Sequence, residues 1–350
     1  MPTLKQLPGF LARQAFDSIL WILIGLFFLW SVFAIYYLTY LPLPLRVVLA
    51  IAFFLAGNVW LLLSKNRIKM RAMLSACCII VFLATLFIRP SNDRDWEADH
   101  AQVANVLIDD GNVTIEHFRN CEYQSELDYT AHFQTKTFPL QEIESVWFLI
   151  QNFTEWDGMA HVFLSFGLKP GNDMEYFSVS VEIRREAGEF YSPFRGLFRS
   201  YELTHVIGDE RDLIGVRTVH RLNDRVFMYR VNASPQQAQQ LFAAFANRIG
   251  DLQRKPQFYH SFLNNCANGI TGLTYELTPE PINWLDPRIV FPGHAAEFAF
   301  EHRLIGAMGE QDDKNEQFEQ LRLKSRIDVK ARECGLTDNF STFIRQSSSE

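Results

Sequence analysis

Two stretches of the chain carry residues able to do covalent chemistry. In FYHSFLNNCANGITGL, Phe258–Leu273, a single cysteine, Cys266, follows Asn264 and Asn265 and precedes a run of helical character. Asparagine is a favoured N-cap, so either residue could start the helix and put the thiol in its first turn. There the free backbone N–H groups and the helix dipole favour a thiolate, and the same amides could receive a developing oxyanion. Upstream, HVFLSFGLKPGNDMEYFSVSVEI, residues 161–183, reads as two strands joined at Gly171-Asn172, a dipeptide suited to a tight turn. Counting outward from the turn sets Pro170 opposite Asp173, Phe166 opposite Phe177, Ser165 opposite Ser178 and His161 opposite Glu182. An imidazole facing a carboxylate is held in one orientation, as a general base requires. Cys266, His161 and Glu182 would then suit acyl transfer through a thioester. Each residue also has a plainer reading: an edge histidine, a solvated carboxylate and an inert buried thiol, with a single bulge enough to undo the pairing.

The elements that must position these residues follow from periodicity. VTIEHF from Val113, SVWFLI from Ser145, HVFLSFG from His161, YFSVSVEIR from Tyr176 and RVFMYRV from Arg225 alternate with period two, as half-buried strands do. On the hairpin, alternation puts His161, Phe163, Ser165, Ser178, Ser180 and Glu182 on one mostly polar face. Val162, Leu164, Phe166, Phe177, Val179 and Val181 take the other. Helical period returns at SPQQAQQLFAAFANRIGDLQ, with Ser234 as N-cap, Pro235 in the first turn and Leu241, Phe242 and Phe245 on one face. The soluble part reads as α+β, a sheet with helices packed on it.

The first quarter is of a different kind. Ser18–Leu45, Val47–Ser64 and Ala72–Ile88 are apolar runs, the first flanked by Trp21 at one end and Tyr36, Tyr37 and Tyr40 at the other. About 20 apolar residues cross a bilayer and aromatic rings favour its interfaces, so three spans are expected. Two more apolar runs follow the first at once, which argues against a cleaved signal peptide. Lys65, Arg67, Lys69 and Arg71 occupy the short loop between the second and third runs, and short basic loops stay cytoplasmic. That places the N-terminus, with Lys5 and Arg13, in the cytoplasm and everything after Ile88 outside. In a Gram-negative bacterium this means an inner-membrane anchor and a periplasmic domain. The resulting map is a membrane domain over 1–90, a charged tether over 91–105, a soluble domain over 106–307 and a polar tail over 308–350, expected to be a solvated helix with a frayed Ser-rich end.

Five cysteines occur. Cys77 and Cys78 sit in the third span as small apolar packing residues. Cys121, Cys266 and Cys334 lie where disulfides are permitted, and Cys121 with Cys334 is one available pairing. The net charge of -7 argues against nucleic acid as a partner, no glycine-rich phosphate loop occurs, and His205, His220, His260 and His294 lack metal-ligand spacing. The residues imply no metal and no cofactor, and they fix no oligomeric state. GDERD, Gly208–Asp212, is a polar turn.

SNDRDW, VTIEHFRN, AHVFLSFG, SVSVEIRREAGEFYSPFRGLFRSYEL, GDERDLIGVRT, NNC and NWLDPRIVFPG, in that order from Ser91 to Leu304, resemble the Lnb N-terminal periplasmic domain family. The resemblance implies a permuted papain-like (NlpC-like) domain with a mainly antiparallel sheet, the histidine strand preceding the nucleophile helix. It maps His161 and Cys266 onto a catalytic histidine and cysteine and Glu182 onto an acidic position, with Tyr259 before NNC. It makes Glu210, Arg211 and Asp212 an ion-pair loop near the site. Members named Lnb are lipoprotein N-acyltransferases, which implies phospholipid and lipoprotein as partners. Three spans and no long C-terminal extension mark a different arrangement. An amidase or peptidase using the same thiol, and a non-catalytic membrane-anchored scaffold, stay open. FYSPFRGLF, Phe190–Phe198, would touch lipid or anchor a loop.

Overall fold

The computed structural model describes residues 7–38, 41–274, 286–307 and 313–346. Lys5, Tyr40, Asn283 to Leu285 and the Ser-rich end from 347 lie outside the described residues. The chain divides into two compact units, residues 1–90 with 192–200, and residues 91–191 with 201–350.

The first unit holds three helices: α1 (Leu7–Tyr36), α2 (Leu43–Leu63) and α3 (Arg67–Thr85). All three are long and apolar enough to cross a membrane. Asn66 starts α3 by accepting the N–H groups of Ile68 and Lys69. Gly57 on α2 leaves room for the Phe28 ring of α1, which also packs on Phe53 and Phe54. At another point Arg71 of α3 pairs with Asp17 of α1 at 3.1 Å and covers the Trp21 ring. Residues 192–200 belong to this unit. Phe194 meets Phe33 edge-on at 4.8 Å and Phe198 stacks on Tyr37 at 5.0 Å, so the aromatic stretch packs on α1.

The second unit is built on strands β1 (Asn105–Asp109), β2 (Asn112–Arg119), β3 (Glu122–Tyr123), β4 (Tyr129–Thr130), β5 (Phe133–Pro139), β6 (Ile143–Asn152), β7 (Ala160–Leu168), β8 (Glu175–Arg184), β9 (Glu202–Asp209) and β10 (Arg225–Arg230). The main sheet runs β1-β2-β9-β8-β7-β6-β10, with β5 also on β2, while β3 and β4 form a separate pair. Pairing is antiparallel except for one parallel contact, Arg119 with Gly208, joining β2 to β9. The fold is α+β with a mainly antiparallel sheet, as expected. Each alternating run became a strand, but β9, a central strand buried along nearly its whole length, went unread. Buried on both faces and carrying Glu202, Thr204 and His205, it has no polar-apolar alternation to detect.

The helices are α4 (Glu210–Leu213), α5 (Pro235–Arg254), α6 (Cys266–Thr274), α7 (Pro287–Val290), α8 (Ala295–Glu301), α9 (Lys314–Lys324), α10 (Asp328–Cys334) and α11 (Phe340–Phe343). Ser234 and Gln237 close a capping box on α5, with Pro235 in its first turn. Its buried stripe of Ala238, Leu241, Phe242, Phe245, Ala246, Ile249 and Leu252 lies in the main core with Val162, Leu164, Phe166, Phe177, Val179 and Val181.

The opposite face of the sheet is covered by the C-terminal segment. Ile327, Ala331, Phe340 and Ile344 pack with Leu149, Phe163, Ile214, Val226 and Met228. Among the described residues of 308–350, only α9 has the solvated character expected, with no buried residue. The four apolar anchors form two separate i, i+4 pairs, each too short a run to announce an amphipathic helix. Residues 91–105 are likewise tied to the sheet: Arg184 donates to the carbonyls of Asn92, His100 and Ala101, and covers the Trp96 ring.

Candidate functional site

Cys266 is the first residue of α6 and is 6 % exposed. Asn265 caps the helix, its Oδ1 accepting the Asn268 N–H at 3.0 Å and its Nδ2 donating to the Ser261 carbonyl. Asn264 pins the preceding loop: its Nδ2 donates to the Phe258 carbonyl, and its backbone exchanges two hydrogen bonds with His260. Gly269 lets α6 lie close on β8, since a Cβ there would press on Val181 at 3.3 Å. Burial pushes the Cys266 thiol up to about 11, opposed by N–H groups of Val162, Ala267 and Cys266 itself.

Val162 directly follows His161, so the head of β7 presents a backbone N–H toward the thiol and an imidazole beside it. The β7–β8 ladder keeps the counted register, with Phe166 opposite Phe177, Ser165 opposite Ser178 and Phe163 opposite Ser180. His161 and Glu182 lie just past its last pair, with Nε2 and Oε1 4.0 Å apart. The nearer neighbour of His161 Nε2 is Ser180 Oγ at 2.8 Å, and the ring stacks on Phe163. Burial, reinforced by Arg217 and opposed by Glu182, lowers His161 to about 3, so the imidazole is neutral at neutral pH. Among the described residues no hydrogen bond joins His161 to Cys266.

Glu182 is held chiefly by a residue sequence reasoning missed. Arg217 Nη2 donates to its Oε1 at 2.6 Å, while Arg217 Nε and Nη1 donate to Gln151 and the Leu213 carbonyl. Burial raises the Glu182 carboxyl, but Arg217 and His100 outweigh it and hold the group well below the usual carboxylate range. Arg217 lies in a π-helical turn, Val216–His220, a local irregularity that often marks functional sites. GDERDLIGVRT contains it, but nothing in that string says which way the guanidinium faces.

Cys266, His161, Glu182 and Tyr259 line one cleft of about 670 Å³. Its lining mixes Leu127, Phe153, Val181, Phe190 and Tyr191 with Asp99, His100, Arg119, Arg185, Arg217 and Arg221. Tyr259 is hydrogen-bonded to Tyr191, and burial raises both phenols. Glu210, Arg211 and Asp212 are not in the cleft wall. Asp209 caps α4, Glu210 is fully buried against Arg345, and Arg211 pairs with Asp209 and Asp338. Asp212 grips Arg119 with both oxygens at 2.9 and 2.8 Å and accepts the Tyr123 hydroxyl at 3.4 Å, so this loop reaches the cleft through Arg119 and Tyr123, which line it. All five cysteines are free thiols, so Cys121 and Cys334 are not paired.

Residues 129–289 match the family model described as the Lnb N-terminal periplasmic domain, a match that includes His161, Glu182, Arg217, Tyr259 and Cys266. No curated protein and no solved structure matches the chain. Residues 129–289 thus match an Lnb N-terminal periplasmic domain, and they follow three helices long and apolar enough to cross a membrane, which fits a membrane-anchored periplasmic domain.

Proposed function

We propose that the protein is a membrane-anchored thiol acyltransferase in which Cys266 takes an acyl chain from a phospholipid and passes it to the amine of a lipoprotein. The observation that carries this reading is the buried thiol in the capped first turn of α6, opening into the same cleft as a neutral histidine. Both groups start uncharged and burial makes the imidazole a weak base, so proton transfer has to be coupled to attack rather than precede it. A base and thiol not yet hydrogen-bonded is common before substrate binds.

In the first half-reaction His161 accepts the Cys266 proton as sulfur attacks the ester carbonyl. The oxyanion develops near the N–H groups at the start of α6, where the helix dipole favours negative charge. Collapse breaks the ester C–O bond, and the lysophospholipid leaves with the proton from His161. In the second half-reaction an uncharged amine attacks the thioester, His161 takes the amine proton and returns it to the departing sulfur, and an amide remains. Glu182, anchored by Arg217, orients the imidazole by its charge. Leu127, Phe153 and Phe190 suit an acyl chain. The basic loop between α2 and α3 supports a cytoplasmic N-terminus and, with it, a cleft on the side where lipoprotein amines are exposed.

Full-length protein is incubated with phospholipid vesicles and analysed by intact mass. The expected result is an acyl adduct on Cys266 that hydroxylamine removes and that Cys266→Ala does not form. Turnover without any adduct would favour an amidase, and full activity in Cys266→Ala would overturn thiol catalysis.

A further inference from the structure

His100 lies ahead of the family match, in the segment that reads as a linker, yet it is 4 % exposed and lines the cleft. Its two ring nitrogens each face an acid. Nδ1 is 3.3 Å from Asp99 Oδ1, and Nε2 is 3.6 Å from Glu182 Oε2. The other Glu182 oxygen, Oε1, is the one shared by Arg217 at 2.6 Å and His161 at 4.0 Å. The carboxylate is thus fixed at both oxygens, by Arg217 on one and His100 on the other.

The geometry also decides the charge on His100. A neutral imidazole has one N–H and one lone pair, so one nitrogen would direct a lone pair at a carboxylate. Only the imidazolium donates toward both. The contact to Glu182 is beyond hydrogen-bond length and the one to Asp99 is not aligned as a hydrogen bond, so the attraction is mainly ionic. Asp99 is anchored in turn by Arg185 at 3.3 Å, Arg119 at 3.8 Å and the Tyr129 hydroxyl at 3.2 Å. The backbone of His100 is tied down by Arg184, which donates to its carbonyl at 3.0 Å. The cleft therefore holds two histidines of opposite character, His161 neutral and His100 cationic, with Glu182 between them. Environments that push two titratable groups apart are how a site assigns its proton roles.

We infer that His100 is a positioning residue for the Cys266 site, a buried imidazolium that fixes the Glu182 carboxylate and offsets its charge beside the thiol and His161. This rests on the acyl-transfer reading for its purpose, although its physical content does not depend on the acyl donor. Acidity acts in the supporting direction: Asp99 and Glu182 raise His100 against the effect of burial, and Glu182 is among the groups that raise Cys266.

The test uses full-length protein in detergent and iodoacetamide, with carboxymethylation of Cys266 followed by peptide mass so that the other thiols do not count. In His100→Gln the uncompensated Glu182 charge should raise the thiol by about one unit and slow Cys266 alkylation about tenfold below that pKa. In acyl transfer kcat should fall while KM for phospholipid stays unchanged. Pairing with Glu182→Gln should remove most of the difference in alkylation. A folded His100→Gln whose pH–rate profile superimposes on the wild type overturns the inference while leaving the acyl-adduct test to decide the function. If that variant does not fold, wild-type NMR with labelled histidine decides instead. His100 that stays imidazolium at pH 7.5 supports the inference, and neutral His100 at that pH overturns it.

Discussion

The two faces of the β7–β8 hairpin are built from the same two strands and are held by opposite physics. One face carries Val162, Leu164, Phe166, Phe177, Val179 and Val181 into the main core under α5 and α6. The other carries His161, Ser165, Ser178, Ser180 and Glu182, and all three serines are fully buried. On this face Ser165 donates to Glu210, and Arg345 bonds both, at 2.9 Å to Ser165 and 2.6 Å to Glu210. The apolar face gains from area removed from water and tolerates small shifts, whereas the polar face depends on pairing every buried charge. The two meet at the head of β7, where consecutive residues supply an imidazole to one side and a backbone N–H to a thiol on the other. The candidate site sits at the strand end because there both faces reach one cleft.

The largest separation of the faces should come from His161→Gln. Thioester formation should fall by about 10² to 10⁴ with loss of the base, while the thermal midpoint of the periplasmic unit in the full chain stays near wild type. An unchanged rate would remove the imidazole from the mechanism.

Next in size are two stability losses with different signatures. Phe177→Ala leaves a cavity in the apolar core and should cost about 3–5 kcal/mol. Arg345→Ala leaves Glu210 buried and unpaired and should cost about 3–5 kcal/mol as well. Adding Glu210→Gln should recover much of the second loss and none of the first, as read from urea midpoints. Simple additivity in both backgrounds would mean that the polar face is held by packing alone.

Acid should act with a definite sign on buried groups of both faces, His161 on the polar face and His205 against Phe245 on the α5 side. His161 and the buried His205 are lowered from 6.5 to about 3. Their unfolded forms bind protons first, so the stability they contribute is present above pH 6.5 and lost as pH falls toward 3. Glu182, held low, loses its contribution in the same direction below the unfolded value of 4.5. His100 is raised, so its contribution is present below 6.5 and lost as pH rises through its folded value. Urea midpoints should therefore fall on acidification from pH 6.5, and a flat profile would contradict burial of neutral histidines.

The smallest effect is expected from Asn265→Ala, which removes one cap bond and should cost about 1 kcal/mol. Slower Cys266 alkylation in the folded variant would tie the cap to the thiol, and an unchanged rate would make it purely structural.

What was legible in the residues is what depends on near neighbours. Period-two alternation and a Gly-Asn turn determined the hairpin register as far as Phe163 and Ser180, because a one-residue slip would expose the entire apolar set. Ser234-Pro235 determined the start of α5, and the asparagines before Cys266 the start of α6. Three apolar runs of bilayer length announced α1 to α3. The partners of Glu182 were not legible, because Arg217 and His100 come from a π-helical turn and from a stretch that reads as linker. The C-terminal layer was not legible either, since Ile327 with Ala331 and Phe340 with Ile344 are two isolated i, i+4 pairs, too few to mark a buried face until a sheet is there to receive them. The sequence determined which side chains could ionise. Only the tertiary structure decided which are charged, because desolvation and the nearest opposite charge, both set by distant segments, make His161 neutral and His100 cationic.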